Sequence, residues 1–578
     1  DVFLSWQLKE KMQQILAKEQ GATVYAPGSR TGFALAYPNT YHVGMSNLGF
    51  QIIYQQINSR ADTACERIFL PEKKVESEYV RTRTPLMTLE TQRPLYTFPL
   101  IGVAMTFEMD YFNLLRMLEL GRVPLLAADR GETDPIVILG GPCATFNPEP
   151  LAEFVDVCVI GEGEEVIHEL LDVYYAGQEK RLTRNEVLAS FAAIQGLYVP
   201  SLYNHSYHAD GTLAAISPAP AAPEQVERRW IKNLDDYPAH TVVVTNDTEF
   251  NNLYLLEVAR GCGRHCRFCM AGYCYRRPRS RSLDKLKPFI MEAKRFGCKA
   301  GLMGAAISDY PAIDELCDYI RTQDIGMSVA SLRADSLSPV LVNALAASGQ
   351  RTITLAPEAA SESMRQVINK GITDEHLFRS IDMAVQAGIV NVRLYIMVGL
   401  PFETEQDVAA IPEMALQVKR HMEQQGSTGK LTLSINPFIP KPFTPFQWVP
   451  MDDQKIVENK LSMIQAALKG HKQIEVLVEN PREAYIQGIL ARGDRRLAQV
   501  LLAAHHHGGA KGWKKAVKEL AINETFYLYR VRKVDEILPW TTLAMGFAFH
   551  YLVRELDNAK ARKSTAQCTL GCKRCGVC

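Results

Sequence analysis

Three cysteines in one short loop place the strongest constraint on how this chain can fold. Cys262, Cys266 and Cys269 stand in the segment EVARGCGRHCRFCMAGYC with Cys-x3-Cys-x2-Cys spacing, and an aromatic residue, Phe268, comes directly before the third. Thiolates are the preferred protein ligands of iron–sulfur clusters, and a tight loop lets three of them converge on one cubane. The spacing predicts a [4Fe–4S] cluster with one iron that lacks a protein ligand. Three buried thiols and a zinc loop are the alternative interpretations.

On the cysteine triad and Phe268, the chain resembles the radical S-adenosylmethionine superfamily. The resemblance implies that the iron without a protein ligand binds the amino and carboxylate groups of S-adenosylmethionine. The sulfonium would then accept an electron from the cluster and break to a 5′-deoxyadenosyl radical. The resemblance implies an enzyme that cleaves S-adenosylmethionine reductively and abstracts hydrogen from an unreactive carbon.

Length and composition favour a large soluble enzyme. The 578 residues suggest three or four structural units of roughly 150 residues each. With 64 basic and 64 acidic residues, net charge indicates neither nucleic acid nor an anionic membrane as partner. There is no apolar run of about 18 residues, and the first twenty residues lack the apolar core of a signal peptide. We therefore expect a cytoplasmic protein without a membrane partner.

Strand and helix patterns alternate through residues 21–200, after a predicted N-terminal helix at residues 1–20. Segments such as DPIVILGGPCATFNPEP and VDVCVIGEGEEVIHELL read as a buried strand, a glycine-rich loop and the start of a helix. This pattern predicts an α/β fold with a doubly wound parallel sheet of the Rossmann type. In such folds, ligands bind beyond the carboxyl ends of the strands.

The loops of this region resemble the cobalamin-binding-type domain that precedes many radical S-adenosylmethionine cores. Glycines suit such loops because backbone can approach a corrin where a β-carbon would clash. The Asp-x-His-x-x-Gly motif of the better-known cobalamin domains is missing, since His42 precedes Gly44 by only two residues. Cobalamin without a protein ligand to cobalt and a domain without cobalamin both stay open. The resemblance implies as cofactor-binding residues Tyr41, Gly44, Thr106, Gly140, Gly141, Gly161 and Gly163.

Two further segments complete the central part of the chain. Residues 201–245 are rich in proline, alanine and turn residues, and predict a linker with a small hairpin at Asp210-Gly211. Residues 246–450 repeat strand and helix patterns at intervals of roughly 25–35 residues. They predict a partial (β/α)6 TIM-type barrel whose active face lies at the strand carboxyl ends.

The resemblance to the superfamily also implies contacts with S-adenosylmethionine at those strand ends. Backbone at Gly304 would bind the methionyl amino group, and Ser331 and Arg333 would contact the ribose and the carboxylate. Arginine suits a carboxylate because its planar fork pairs with both oxygens. Glu358 matches the acidic residue expected at the next strand end.

Four arginines follow the cluster loop in the run YRRPRSR, at Arg276, Arg277, Arg279 and Arg281. They could hold a phosphate-bearing substrate, the tail of a cobalamin or an RNA backbone. A solvated loop that balances nearby carboxylates is the alternative interpretation.

Residues 451–578 have a mainly helical pattern and end in CTLGCKRCGVC. Cys568, Cys572, Cys575 and Cys578 place four thiolates within eleven residues. Such a run can ligate a second iron–sulfur cluster, with a zinc knuckle or disordered thiols as alternatives. We favour the cluster because a tail with little apolar content needs a metal to order it.

The arrangement of the whole chain resembles a bacterial family of radical S-adenosylmethionine proteins with an N-terminal cobalamin-binding-like domain and a cysteine-rich tail. The predicted function is methyl transfer through methylcobalamin, with S-adenosylmethionine and the cluster as further cofactors. Sulfur insertion or oxidation that uses a tail cluster without cobalamin is one alternative, and a non-catalytic iron–sulfur scaffold or sensor is another. The expected partners are a reductant such as flavodoxin or ferredoxin and a substrate that is RNA, a peptide or a small molecule.

Overall fold

The computed structural model of the protein describes residues 4–577, so Cys578 and the first three residues of the predicted N-terminal helix lie outside the described residues. The N-terminal region is a parallel sheet with helices on both faces. Its strands are β1 (Thr31–Tyr37), β2 (Thr63–Phe69), β3 (Leu100–Ala104), β4 (Ile136–Gly140), β5 (Val157–Val159) and β6 (Leu197–Tyr198). Its helices are α1 (Trp6–Lys18), α2 (Tyr41–Gly44), α3 (Leu48–Asn58), α4 (Lys73–Thr82), α5 (Tyr111–Leu120), α6 (Pro142–Phe146), α7 (Gly163–Glu179) and α8 (Arg184–Ala192).

The strand order of this sheet is β2-β1-β3-β4-β5-β6, with all pairs parallel except the last. The central strands are buried along almost their whole length, as expected for a sheet covered on both faces. The chain runs from β1 outward to β2 and then returns to β3 on the other side. This reversal makes the edge between β1 and β3 the switch point at which doubly wound sheets bind ligands.

A hairpin joins this sheet to the second parallel region, and its strands are β7 (Tyr203–Tyr207) and β8 (Leu213–Pro218), as the turn signal at Asp210-Gly211 predicts. The strands of the second region, with the short pairs beside them, are β9 (Val226–Glu227), β10 (Leu253–Glu257), β11 (Ala259–Arg260), β12 (Arg279–Ser280), β13 (Lys299–Met303), β14 (Met327–Ser328), β15 (Thr352–Glu358), β16 (Asn391–Val398), β17 (Leu431–Pro437), β18 (Ile474–Val478) and β19 (Leu543–Ala544). They form two parallel sheets, β10-β13-β14 and β15-β16-β17-β18. A parallel bridge between Leu332 and Leu355 connects the two sheets. The predicted α/β class with parallel sheets is confirmed, and β18 is a parallel strand that the sequence analysis did not predict.

Helices cover the second region and continue to the C-terminus. They are α9 (Ala271–Cys274), α10 (Leu283–Arg295), α11 (Ile313–Thr322), α12 (Pro339–Ala347), α13 (Glu362–Val367), α14 (Asp374–Gln386), α15 (Glu405–Gln424), α16 (Gln454–Leu468), α17 (Pro481–Arg492), α18 (Leu497–His506), α19 (Trp513–Glu519), α20 (Glu524–Leu528) and α21 (Phe549–Lys560). Among residues 4–577, no helix has both the length and the apolar character needed to cross a lipid bilayer.

One buried carboxyl after β3 predicts a pH-dependent stability. Asp110 accepts hydrogen bonds from the side-chain amides of Asn39 and Asn113, yet burial raises its pKa to about 6. A carboxyl whose pKa is higher in the folded than in the unfolded protein stabilises the folded state at pH values below its unfolded pKa. This stabilisation is lost as the pH rises through the folded-state pKa. Between about pH 5 and pH 8, the unfolding free energy of the wild type should therefore fall by roughly 1–2 kcal/mol more than that of Asp110→Asn. Denaturant unfolding of both proteins across this range measures the difference, and parallel pH profiles would contradict the assignment.

Candidate functional site

The cysteine triad lies in the loop between β11 and α9, at the carboxyl end of the first strand of the second region. Gly261 opens the loop with a φ of +79°, and a β-carbon there would meet the Tyr275 carbonyl oxygen at 2.2 Å, so the turn requires glycine. Burial and the neighbouring Cys266 and Cys262 thiols raise the pKa of Cys269 to about 11. A raised pKa keeps such a thiol protonated until a bound cation stabilises its deprotonated, ligating form. The donor set fits an iron–sulfur cluster.

Arg333, at the predicted site for the S-adenosylmethionine carboxylate, lies against the triad. Its Nη1 is 3.8 Å from Cys266 Sγ, and its fork pairs with both carboxylate oxygens of Asp335 at 3.0 Å. Arg264, inside the loop, binds Asp335 and the carboxylate of Asp309. These charges therefore fix the outer side of the loop, and the role of Arg333 toward a ligand carboxylate stays a prediction.

The remaining predicted strand-end residues surround the same loop. Glu358 ends β15 with a left-handed φ of +65°, a strained conformation for a side chain of this size. Burial raises the pKa of Glu358, which the Lys370 ammonium at 3.7 Å opposes. Lys370 also lies 5.8 Å from the centre of the Phe268 ring. The side chain of Ser331 is exposed at the end of its segment.

A cavity of about 520 Å³ lies between the carboxyl ends of the N-terminal strands and the start of the cluster loop. Its N-terminal wall comes from the switch point between β1 and β3 and from the loops after β4 and β5, and its other wall includes Arg260, Gly261 and Ala271. Most of its lining is apolar. Of the predicted cofactor-binding residues, Thr106, Gly140, Gly141, Gly161, Gly163 and Gly304 line it.

The glycines of this wall serve different purposes. A β-carbon on Gly140 would project into open space, with Val103 O as nearest atom at 3.9 Å. Gly141 and Gly161 have φ values of +98° and +109°, and β-carbons there would meet backbone oxygens at 2.6 and 2.0 Å. Gly140 thus gives the cavity bare backbone, whereas the other two are needed by the fold itself. Bare backbone at strand ends fits a large planar ligand such as a corrin.

Tyr41 and Gly44 lie outside the lining of this cavity. The Tyr41 hydroxyl donates to Glu19 at 2.5 Å, and a β-carbon on Gly44 would lie 2.6 Å from the Phe69 ring. His42 is exposed and its Nδ1 lies 2.8 Å from Asp247. These three residues order the loop after β1, and the contact of Tyr41 and Gly44 with a cofactor stays a prediction.

Sequence analysis missed the charged end of the cavity, which centres on Arg260. Its guanidinium contacts Glu162 at 3.1 Å, Glu164 at 2.6 Å and Glu257 at 2.9 Å. Burial acts to raise the pKa of Glu162, but the hydrogen bond from Arg279 and the charge of Arg260 outweigh it and leave that pKa below its usual value. Arg260 thus joins the two regions beside the triad. Two sequence signals could have revealed this contact: Arg260 stands two residues before Cys262, and Glu162 follows the glycine of a strand-end loop.

Two of the four arginines after the loop pair with carboxylates inside the protein. Arg279 pairs with Glu162 at 2.6 Å and Arg281 with Glu257 at 2.7 Å. Arg276 is fully buried, and Arg277 is exposed. Arg279 and Arg281 therefore neutralise internal carboxylates rather than forming a loop open to phosphate.

The C-terminal cysteines lie against the cluster loop. The backbone N–H of Cys568 donates to Gly263 O at 2.8 Å, and His265 Nε2 is 3.1 Å from Cys568 Sγ. Arg267 donates to Lys563 O at 2.6 Å and to Glu555 at 3.1 Å, with both charged side chains buried. His265 and Arg267, which lie between the triad cysteines, thus hold the C-terminal segment against the cluster loop. Cys578 lies outside the described residues, and its role stays a prediction.

Two family models match the chain. Residues 49–200 match the model described as radical SAM proteins, N-terminal, and residues 256–415 match the radical SAM superfamily. An uncharacterized protein of Methanocaldococcus jannaschii is 30% identical over 472 residues, which cover 81% of this chain and 90% of that protein. An uncharacterized methyltransferase of Pyrococcus horikoshii is 25% identical over 295 residues, 48% of this chain and 57% of its own length.

Two solved structures have a similar fold. TsrM, a radical S-adenosylmethionine methyltransferase from Kitasatospora setae with cobalamin and a [4Fe–4S] cluster bound, aligns with a TM-score of 0.51 and 14% identity over 85% of this chain and all of that chain. OxsB, a cobalamin-dependent S-adenosylmethionine radical enzyme with aqua-cobalamin bound, aligns with a TM-score of 0.50 and 13% identity over 92% and 79%. At these identities the similarity establishes the fold alone.

Proposed function

The chain belongs to the radical S-adenosylmethionine superfamily, and from this premise we propose that it is a corrinoid-dependent methyltransferase. The observation that carries the proposal is the cavity of about 520 Å³ that the β1/β3 switch point shares with the start of the cluster loop. A corrinoid there would be the methyl carrier, and a [4Fe–4S] cluster on the triad would supply the electron that cleaves S-adenosylmethionine.

The residues of the chain have separate roles in this proposal. Cys262, Cys266 and Cys269 bind the cluster, and Arg333 stabilises the anionic sulfur of Cys266 with a charged N–H group. The apolar lining of the cavity excludes water from a reactive methyl carrier. Bare backbone at Gly140 would leave room for a bound corrinoid.

The charged end of the cavity fixes the position of its N-terminal wall relative to the wall formed by the start of the cluster loop. Arg260 contacts Glu162 and Glu164 of the N-terminal region and Glu257 of β10. Buried pairs of this kind fix geometry because any displacement leaves a charge without compensation. Within the described residues 4–577, no histidine lines the cavity, so the proposal places the corrinoid without an imidazole ligand to cobalt.

Substitution of Gly140 tests the corrinoid site directly. Gly140→Leu should fill the cavity without a backbone clash and should lower corrinoid retention at least about tenfold, as expected for the loss of a close ligand contact. Gly140→Ala, which adds only a β-carbon with its nearest neighbour at 3.9 Å, is the matched control and should retain most of the corrinoid. The measurement is the ultraviolet–visible spectrum after anaerobic loading with hydroxocobalamin and washing.

The iron content and the melting temperature of both variants should equal those of the wild type, which excludes misfolding. If the wild type retains no corrinoid, or if Gly140→Leu retains it fully, the methyl-transfer proposal is wrong.

A further inference from the structure

The end of the chain is strongly basic, although the whole protein has no net charge. Residues 558–578, named the basic tail here, contain Lys560, Arg562, Lys563, Lys573 and Arg574 and no aspartate or glutamate. The side chains of Lys560, Lys563, Lys573 and Arg574 are exposed. Arg562 and Arg574 donate hydrogen bonds to neutral groups, Ser363 Oγ and Ala566 O, so their charges stay available. The apolar side chain of Leu570 is fully exposed in the same segment.

The basic tail is also the part of the chain that contacts the cluster loop. Asn369 ties it to this loop, since its amide nitrogen donates to His265 O and Thr565 O, both at 3.1 Å. A cavity of about 350 Å³ is lined by both Cys262 and Cys568. One thiol of each cysteine set therefore faces the same space.

The described tail cysteines lie in a folded segment against the cluster loop. The Cys572 N–H donates to Thr569 O at 3.0 Å, and Cys575 is buried, with its carbonyl accepting a hydrogen bond from Ala548 at 2.9 Å. His265 Nε2, from the cluster loop, is 3.1 Å from Cys568 Sγ. A ring N–H directed at sulfur stabilises negative charge on a cluster ligand.

Arg276 provides an independent indication of an anionic group at this place. Its side chain is completely buried, its Nη1 donates to the Tyr551 hydroxyl at 3.1 Å, and its Nε and Nη2 have no hydrogen-bond partner. The Tyr551 hydroxyl also contacts His265 Nδ1, and the other ring nitrogen of His265 is 3.1 Å from Cys568 Sγ. A buried cation with unsatisfied N–H groups is costly unless an anion accepts them. A thiolate-bound cluster is such an anion.

We infer that the basic tail is the electron-entry site of this protein. Cys568, Cys572 and Cys575 hold a second iron–sulfur cluster there, and this cluster accepts electrons from a small acidic one-electron carrier. This inference rests on the proposed function only in that the triad holds the cluster that finally uses the electron. The carrier is oxidised by one electron, the tail cluster is reduced by one and passes it to the triad cluster, and no bond or proton is transferred. Zinc has no redox chemistry and could not serve this role.

Charge explains why the carrier is acidic. A cluster of cations around a redox centre raises the association rate of an oppositely charged protein by about 10- to 1,000-fold at low ionic strength. Salt reduces this advantage, because the Debye length falls from about 10 Å at 0.1 M to about 3 Å at 1 M. The exposed Leu570 offers an apolar contact within the basic surface.

Metal analysis tests the tail cluster. The anaerobically reconstituted wild type should contain about eight irons per chain, and the variant in which Cys568, Cys572 and Cys575 are alanine about four. The electron paramagnetic resonance spectrum of the reduced variant should keep the signal of the triad cluster, which shows that the loop has not unfolded. One zinc per chain in the tail, or an iron content unchanged by the substitutions, would overturn the inference.

Stopped-flow reduction tests the docking surface. Lys560→Glu/Lys573→Glu should slow reduction by flavodoxin hydroquinone about tenfold, while reduction by the cationic methyl viologen radical should not slow. Wild-type reduction by flavodoxin should also slow as salt rises. The matched control is Lys469→Glu/Lys472→Glu, with the same change in charge at exposed positions before β18, at the opposite end of the parallel strands.

A control pair that slows flavodoxin equally, or a tail pair that does not slow it, contradicts the inference. Neither result affects the proposed function, because corrinoid retention and viologen-driven cleavage of S-adenosylmethionine are measured on the same samples without flavodoxin.

Discussion

Replacement of Cys266 by alanine is expected to abolish the cleavage of S-adenosylmethionine. Loss of an outer hydrogen-bond partner of a metal ligand already costs about 10- to 100-fold, so loss of a ligand itself should cost at least about a hundredfold. Iron per chain should fall by about four, the content of one cubane. The measurements are iron content and the formation of 5′-deoxyadenosine after anaerobic reconstitution.

Cys274→Ala is the matched control for this substitution. Cys274 is buried five residues after the triad and lies outside the Cys-x3-Cys-x2-Cys motif. We expect this variant to keep its iron and its activity. Full iron content in Cys266→Ala would refute the triad as the ligand set, and equal losses in both variants would indicate a folding defect.

Replacement of Arg260 by methionine is expected to lower the free energy of unfolding by about 3–5 kcal/mol, the usual effect of removing one partner from a buried charge network. Three carboxylates, with side-chain exposures of 3%, 5% and 17%, lose a shared cation. Since these carboxylates belong to both walls of the cavity, corrinoid retention should fall with stability. Denaturant unfolding and the spectrum after corrinoid loading measure the two effects.

Arg60→Met provides the matched control for Arg260→Met. Arg60 also holds two carboxylates, Asp62 and Asp172, but their side chains are 45% and 68% exposed. Exposed pairs contribute about 0–1 kcal/mol, so this variant should unfold almost as the wild type does. A similar loss of unfolding free energy in both variants would show that burial of the carboxylates does not determine the size of the effect.

Local patterns predicted the elements that build the candidate site. The buried runs of β1, β3 and β4 and the glycine-rich loops after them predicted the parallel sheet and its ligand edge, because a strand covered on both faces is apolar along its length. β18 was missed since IEVLV is a short segment with alternating exposure between two helical patterns. The turn signal at Asp210-Gly211 predicted its hairpin because a tight turn depends on only a few consecutive residues.

The sequence by itself determined the candidate cluster ligands, because Cys262, Cys266 and Cys269 lie within one loop of eight residues whatever the rest of the chain does. The tertiary structure alone decided which glycines face the cavity, which carboxylates neutralise the arginine run and where the tail lies. Each of these depends on groups that are distant along the chain, such as His265 and Cys568, which are separated by 303 residues and whose side chains lie 3.1 Å apart. Contacts of this kind follow from how the helices and sheets pack, which no local pattern of residues records.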